Sequence, residues 1–160
     1  MPSKAAHAPA EGDPVPEIEL PDAAGKPFRL SSLRGKNVVL YFYPKANTSG
    51  CTKEACDFRD NSKKFTKTDT VIVGVSPDKT AAQASFKAKY DLPFTLLADA
   101  DHAAAEAWGV WKEKSMYGRK YMGVERTTFL IDKKGKIVRI FPKVKIEGHA
   151  DEVLQALAAL

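Results

Sequence analysis

The chain has 160 residues and a net charge of +5 from 25 basic and 20 acidic residues; 44% of its residues are hydrophobic and 28% are charged. This composition is ordinary for one globular domain and excludes a disordered or collagen-like chain. The apolar runs, such as residues 38–43, reach about six residues against the roughly 20 of a membrane-spanning helix. We therefore expect no membrane association.

The N-terminal dozen residues differ in composition from the rest of the chain. Residues 1–12 are rich in Ala and Pro and lack the apolar segment of a secretory signal. We interpret them as a flexible arm in front of a single domain of residues 13–160. Two cysteines are too few for a disulfide-stabilised secreted domain, which favours a reducing, cytoplasmic environment.

Alternating strands and helices organise the remaining residues. Turn residues between two short apolar runs, 18–20 and 28–30, predict an N-terminal β-hairpin. Further strands are predicted at 38–43, 71–75, 94–97, 127–131 and 137–141. Helices are predicted from residue 48 or 49 onward and at 80–90, 101–108 and 151–160. This order predicts a three-layer α/β domain, with a central mixed sheet flanked by helices.

The helix that follows the strand at 38–43 carries an inward-facing stripe. Its members recur at spacings of four, three, four and three residues, and they are Cys51, Ala55, Phe58, Ser62 and Phe65. A hydroxyl residue at position 48 or 49 is expected to cap the helix. Cys51 thus lies in the first turn, just past the end of a buried strand, where unpaired backbone amides stabilise anions such as a thiolate. This placement makes Cys51 a candidate nucleophile.

Other interpretations of the two cysteines carry less weight. Free cysteine is often a small core residue, but a pair with the first member at a helix start favours chemistry. A zinc site needs about four ligands, and His7, His102 and His149 show no paired ligand spacing, so we expect no metal. The Cys-x-x-Cys spacing of dithiol oxidoreductases is also absent, because four residues separate Cys51 and Cys56.

Several motifs match a known family. Pro44, Thr48 and Cys51 fit the signature Pro-x-x-x-Thr-x-x-Cys, and the run Cys-Thr-Lys-Glu-Ala-Cys-Asp-Phe-Arg-Asp places Cys56 five residues on. Phe-Tyr-Pro at 42–44, Asp-Leu-Pro-Phe at 91–94 and Glu-Arg-Thr-Thr-Phe-Leu-Ile-Asp at 125–132 add to the match. On these motifs the chain resembles a peroxiredoxin of the Q type, also called bacterioferritin comigratory protein, from about residue 13 to the C terminus.

The resemblance implies a thioredoxin-like fold and a thiol peroxidase that reduces hydrogen peroxide and organic hydroperoxides. It implies that Cys51 is the peroxidatic cysteine and that Cys56 resolves the oxidised form as an intramolecular disulfide. Thr48 and Arg126 would complete the peroxide site, and Pro44 would shield it. Thioredoxin, or a glutaredoxin-like protein, is the implied reductant, no bound cofactor is required, and the subgroup resemblance favours a monomer.

Two positions near the candidate nucleophile remain open. Glu54 is either an anchor for the expected arginine or simply an acidic residue favoured near a helix N terminus. Ser49 stands where the family usually has a proline, directly before the Gly-Cys pair. Since this position supplies no essential group, we expect activity to survive the change.

The cysteine spacing predicts a conformational change. In an intact α-helix, five residues place two Cα atoms about 8.7 Å apart, whereas a disulfide needs roughly 4.4–6.8 Å. The first turns of the helix must therefore unwind after oxidation, so that the second sulfur reaches the first.

Three other functions compete with peroxide reduction. A thiol-disulfide oxidoreductase acting on protein disulfides would share the fold and a reactive cysteine at a helix start. A binding module would present surface aromatics, with Trp108, Trp111, Tyr117 and Tyr121 as candidates, although such residues more often pack in the core or at its rim. Nucleic-acid binding is disfavoured, because the basic residues are scattered and no nucleic-acid-binding motif accompanies them.

Overall fold

The computed structural model describes residues 8–160 of the chain. Its strands are β1 (Glu19–Pro21), β2 (Pro27–Arg29), β3 (Asn37–Phe42), β4 (Thr70–Ser76), β5 (Thr95–Ala98), β6 (Trp111–Met116), β7 (Arg119–Val124), β8 (Thr127–Ile131) and β9 (Ile137–Phe141). Its helices are α1 (Ser49–Asp60), α2 (Ser62–Thr66), α3 (Thr80–Lys89), α4 (Ala103–Ala107) and α5 (His149–Ala158), with a 3-10 helix at Leu30–Leu33.

A five-stranded mixed sheet forms the middle layer, in the order β5-β4-β3-β8-β9. β3 pairs in parallel with β4, and β4 with β5, while β8 and β9 join as antiparallel strands. β3 is therefore the central strand, as its unbroken apolar run predicted. Its carboxyl end leads directly into the loop before α1, which places the candidate nucleophile at that end of the sheet.

Side chains of β3 alternate between two cores, one on each face of the sheet. Val39 and Tyr41 face a core that contains buried side chains of α1, α2, α3 and α5. Val38, Leu40 and Phe42 face a second core, closed by the N-terminal segments, α4 and the start of β6. The predicted three-layer α/β architecture and the N-terminal hairpin are confirmed.

The residues that precede β1 lie along the sheet. The amide of Gly12 donates to the carbonyl of Ile137 at 2.7 Å, and the Glu11 carboxylate accepts from the amide of Ile140 at 3.0 Å. Contacts with β9 therefore begin before the predicted domain start at residue 13. Residues 1–7 of the predicted arm lie outside the described residues.

The helices form where the periodicity predicted them, but their first and last residues differ from the predicted ones. The stripe that begins at Cys51 is split between α1 and α2, because the helix is interrupted at Asn61. The side-chain amide of Asn61 donates to the carbonyl of Asp57 at 2.8 Å. Phe65 still reaches the core from α2. α5 begins at His149, two residues before the predicted start.

Within residues 8–160, no helix is long and apolar enough to cross a bilayer.

The hairpin of β6 and β7 was not predicted. Its strands carry four Lys and Arg side chains and are mostly exposed, so they lack the apolar pattern on which strand prediction depends. The signal was in its two-residue turn: Tyr117 and Gly118 both have left-handed φ angles, 53° and 79°, as in the tight turns that favour hairpins. This hairpin forms a separate two-stranded sheet.

An aromatic cluster fixes the second half of α1 to the sheet. The ring of Phe58, which is fully buried, lies 4.8 Å from that of Tyr41 and 5.9 Å from that of Phe65. Gly74 in β4 makes room for this cluster, since a Cβ there would lie 3.0 Å from the Tyr41 ring. The second half of the helix is thus anchored to the sheet at Phe58.

Candidate active site

The start of α1 leaves its first-turn amides without a side-chain cap. Thr48 occupies the N-cap position with an extended backbone, but its hydroxyl donates to the carbonyl of Lys45 at 3.0 Å. Ser49 is exposed and, within the part of the chain that the structure describes, no side chain caps this helix end. The predicted hydroxyl cap is therefore wrong, because the Thr48 hydroxyl is bound within its own loop. The uncapped amides are left to interact with an anion.

Arg126 lies against the sulfur of Cys51. Its Nη2 donates to Cys51 Sγ at 3.3 Å, across 75 positions of sequence. The sulfur belongs to a fully buried residue, and the arginine side chain is only 17% exposed. Arg126 directly precedes β8, the antiparallel partner of β3, and this pairing brings it to the end of β3 that leads into α1. The contact joins two of the residues that the resemblance put forward.

Glu54 binds the other side of the same guanidinium. Its Oε1 accepts from Arg126 Nη1 at 2.7 Å, and the carboxylate is 2% exposed. Burial raises the pKa of Glu54 to about 7, and the charge of Arg126 opposes that rise. Burial also lowers the pKa of Arg126, but Glu54 and Cys51 outweigh it, and the net shift is upward. This geometry favours Glu54 as an anchor for Arg126 over a role limited to the helix dipole.

Gly50 lies close to Arg126. A Cβ at this position would lie 3.4 Å from Arg126 Nη2 and 3.4 Å from Ile146 Cδ1, which is the short limit of ordinary van der Waals contact. Gly50 thus places the first turn of α1 directly against the guanidinium. Ile146 was not predicted at this site, since nothing in its local pattern indicates the contact.

Pro44 and Thr48 lie in the loop between β3 and α1, and neither is in hydrogen-bond contact with Cys51. Pro44 is half-buried at the end of β3. Asp78 holds this loop by accepting from the amide of Ala46 at 2.7 Å and from the hydroxyl of Ser76 at 2.6 Å. The structure thus places Cys51, Arg126 and Glu54 in one hydrogen-bonded group, with the two loop residues preceding it.

Cys56 lies on the same unbroken helix as Cys51. Both thiols are free, and Cys56 is half-buried. Since α1 is continuous from Ser49 to Asp60, the helical geometry that separates two Cα atoms by about 8.7 Å over five residues applies to this pair. The two Cα atoms are therefore farther apart in this helix than a disulfide allows, which is the separation from which unwinding was predicted.

Tyr90 ties down both sides of the segment that contains the cysteines. Its hydroxyl donates to Asn47 Oδ1 at 3.2 Å, just before α1, and its carbonyl accepts from Arg59 Nη1 at 2.7 Å, at the end of α1. We call these two bonds the Tyr90 clasp. Its partners are 43 and 31 positions away, so no local sequence pattern indicates it.

The unpredicted hairpin brings a second cation near the site. Lys114 in β6 is half-buried, and burial together with the charge of Arg126 lowers its pKa, while Glu125 and Cys51 act in the opposite direction. The ammonium group therefore lies within electrostatic range of the Cys51 sulfur.

Among the described residues, no three His, Cys, Asp or Glu side chains form a group that would hold a metal ion.

Comparison with known proteins gives consistent results. Residues 11–140 match the model of the AhpC/TSA family. Peroxiredoxin Bcp of Bacillus subtilis is 51% identical over 146 residues, covering 91% of this chain and 93% of that protein. Peroxiredoxin Bcp of Escherichia coli is 44% identical over 146 residues, covering 91% and 94%.

Solved structures agree with these relatives. The bacterioferritin comigratory protein of Xanthomonas campestris superposes with a TM-score of 0.84 at 42% identity, covering 89% of this chain and 90% of that one. A cysteine-to-serine mutant of Xylella fastidiosa PrxQ superposes with a TM-score of 0.90 at 36% identity, covering 96% and 98%.

The chain therefore belongs to the AhpC/TSA family. Within it, the resemblance to Q-type peroxiredoxins that the motifs indicated is confirmed, and so are the thioredoxin-like fold and the enzyme class, a thiol peroxidase among the oxidoreductases.

The raised pKa of Glu54 predicts how stability depends on pH. The folded-state pKa of about 7 lies above the ordinary value of 4.5, so the folded protein holds more protons than the unfolded chain between these values. The free energy of unfolding should therefore fall as pH rises through this window, and Glu54→Gln should remove that part of the slope. Urea unfolding of the reduced proteins at a series of pH values measures both slopes.

Glu147→Gln, at an exposed carboxylate of the same chain, is the matched control and should retain the native slope. Identical slopes for the native protein and Glu54→Gln would show that the buried carboxyl does not titrate in this range.

Proposed function

We propose that the chain reduces hydroperoxides with the sulfur of Cys51 as nucleophile. The observation that carries this proposal is the guanidinium of Arg126, which donates to Cys51 Sγ while Glu54 holds its other side. A cation fixed beside a sulfur favours the thiolate, which is the reactive form. The Xanthomonas campestris relative is described with alkyl peroxide reduction activity, which supports hydroperoxides as the substrate class.

In the first step the Cys51 thiolate attacks one peroxide oxygen. A sulfur–oxygen bond forms as the oxygen–oxygen bond breaks, and the departing oxygen takes up a proton to leave as water or an alcohol. Cys51 becomes a sulfenic acid. Arg126 and the uncapped amides of α1 would stabilise the charge that develops on the departing oxygen, with the Thr48 hydroxyl turning from Lys45 toward the peroxide and Pro44 shielding the site.

In the second step Cys56 resolves the sulfenic acid. Its thiol displaces the oxygen of Cys51 as water, and an intramolecular disulfide forms. Because the helical separation of about 8.7 Å exceeds disulfide range, the first turns of α1 must unwind. The anchor at Phe58 limits this unwinding to the turns before it.

In the third step an external dithiol protein reduces the disulfide, and we propose thioredoxin or a glutaredoxin-like protein for this role. A disulfide formed by distorting a helix is exposed and easily reduced. The chain would act as a monomer in a reducing, cytoplasmic environment, without a bound cofactor and without nucleic-acid or membrane partners. The low cysteine content, two in 160 residues, supports that environment.

Variants of the two cysteines should separate the first two steps. Cys51→Ser is expected to abolish peroxide consumption, whereas Cys56→Ser should be oxidised once and then be recycled poorly by thioredoxin. Mass spectrometry after one equivalent of hydrogen peroxide should show the loss of two hydrogens in the native protein and the gain of one oxygen in Cys56→Ser. Normal peroxide consumption by Cys51→Ser would rule out this nucleophile.

The Tyr90 clasp should slow the second step. Tyr90→Phe removes the hydroxyl bond to Asn47, a net loss of about 1 kcal/mol, or about fivefold in an equilibrium constant. Disulfide formation after oxidation should accelerate by about that factor, because α1 opens more often. Quenched-flow mass spectrometry measures the rate.

Tyr117→Phe, at the exposed tip of the hairpin, makes the same chemical change outside the clasp and should leave the rate unchanged. Equal rates for Tyr90→Phe and the native protein would show that the clasp does not restrain the opening of α1.

A further inference from the structure

The exposed large hydrophobic side chains of the described residues are concentrated on one element, the hairpin of β6 and β7. Met116, Tyr117, Tyr121 and Met122 are between 44% and 99% exposed, and within residues 8–160 only Leu160, at the C terminus, is comparable. Monomeric proteins rarely expose such side chains as a group without a use for them. Tyr and Met are also enriched at protein interfaces, where Met adapts its shape to a partner.

The register of the hairpin assigns these side chains to two faces. Pairs directly opposite each other share a face, and successive pairs alternate. One face, which we call the basic face, consists of Lys112, Lys114, Met116, Arg119, Tyr121 and Gly123. The other face, which we call the anchored face, is held to the domain at its base: Trp111 stacks on His102 with ring centroids 4.0 Å apart, and Val124 is buried. Its remaining residues, Glu113, Ser115, Lys120 and Met122, are exposed.

The charges of the hairpin are separated between these faces. Its one carboxylate, Glu113, lies on the anchored face, 3.7 Å from Lys120. The basic face therefore carries three cations, Lys112, Lys114 and Arg119, and no carboxylate. Such a face attracts an acidic surface and repels a basic one.

The basic face borders the reactive cysteine. Lys114 packs across Gly123, with its Cδ 3.5 Å from the position that a Cβ would occupy there. Its charge acts on both Arg126 and Cys51. β7 ends two residues before Arg126. A macromolecule seated on this face would lie beside the start of α1, where the disulfide forms in our proposed function.

We propose that the basic face is the docking surface for the protein dithiol that reduces the Cys51–Cys56 disulfide, and that this partner presents acidic side chains around its reactive thiol. This inference rests on the proposed function, because only an enzyme recycled by a protein needs such a surface. Two strands of six residues extend for about 20 Å, which suits a protein surface rather than a small reductant.

A second copy of this chain is a poorer occupant. A two-fold contact would set the same patch against itself, so that Lys112, Lys114 and Arg119 would face like charges. The chain as a whole also carries a net charge of +5, which adds to that repulsion. Charge complementarity therefore favours an acidic partner of a different kind.

Reversal of two of the three charges, with Lys114 left unchanged, tests the proposal. The double variant Lys112→Glu/Arg119→Glu should lower kcat/KM for thioredoxin about tenfold, since steering by surface charge contributes roughly 10- to 1,000-fold to association rates. The assay supplies thioredoxin, thioredoxin reductase and NADPH, with thioredoxin varied. With dithiothreitol as reductant, the double variant should match the native enzyme, because a small neutral dithiol needs no docking surface.

The control variant Lys134→Glu/Lys136→Glu changes the net charge equally at the opposite end of β8 from Arg126, and should retain native kinetics with both reductants. Added salt should lower kcat/KM for thioredoxin in the native enzyme and less so in the double variant. Tyr121→Ala removes apolar contact without a change of charge. It should lower kcat/KM for thioredoxin, and its salt dependence should remain that of the native enzyme.

Two kinds of failure can be told apart. If the native enzyme consumes no peroxide with dithiothreitol, the proposed function itself is wrong. If it does, and the charge reversals leave kcat/KM for thioredoxin within twofold of native, the docking surface is wrong. Two other results, each with unchanged thioredoxin kinetics, would also overturn the proposal. One is that the native protein is a dimer and the charge reversals dissociate it. The other is that the native protein binds single-stranded DNA and the charge reversals abolish this binding.

Discussion

The hydrogen bonds of Arg126 are the interaction on which the site depends. One N–H reaches Cys51 Sγ at 3.3 Å and another reaches Glu54 Oε1 at 2.7 Å. A guanidinium offers five donors in a fixed plane, so in the proposed function it can keep its carboxylate anchor while another N–H binds a peroxide oxygen. Cys51 and Glu54 are three residues apart on one face of α1, and the arginine therefore fastens the first turn of that helix to the end of the sheet.

The same helix meets two opposing demands. In the proposed mechanism it must be folded to hold Cys51 beside Arg126, and it must open to bring Cys56 within disulfide range. The two ends of the helix are held differently: within residues 8–160 no side chain caps the first turn, while Phe58 is packed among aromatic rings. The Tyr90 clasp restrains the segment between these ends. In the proposed mechanism, the reactivity of Cys51 and the formation of the disulfide therefore both depend on how firmly this short stretch of helix is held.

How far the sequence predicted this arrangement depends on how many positions separate the residues that interact. The strand at 38–43 and the Cys51 stripe were predictable because burial imposes a local period on the chain. Arg126 came from the resemblance, since no local pattern joins it to a cysteine 75 positions away. The Tyr90 clasp and the contact of Ile146 near Gly50 depend on tertiary structure and were missed. The hairpin of β6 and β7 was missed because its strands are polar and exposed, although its Tyr-Gly turn was visible.

The most direct test of the account is the rate at which hydrogen peroxide oxidises Cys51 when Arg126 is replaced. In a Cys56→Ser background, which stops the reaction at the first oxidation, Arg126→Gln should lower the second-order rate constant by roughly 10²- to 10³-fold, the usual effect of removing a donor that stabilises a developing oxyanion. Arg119→Gln, at an exposed arginine of the hairpin, provides the reference. A folded Arg126→Gln variant that reacts within a fewfold of this reference would contradict the central role given to the guanidinium.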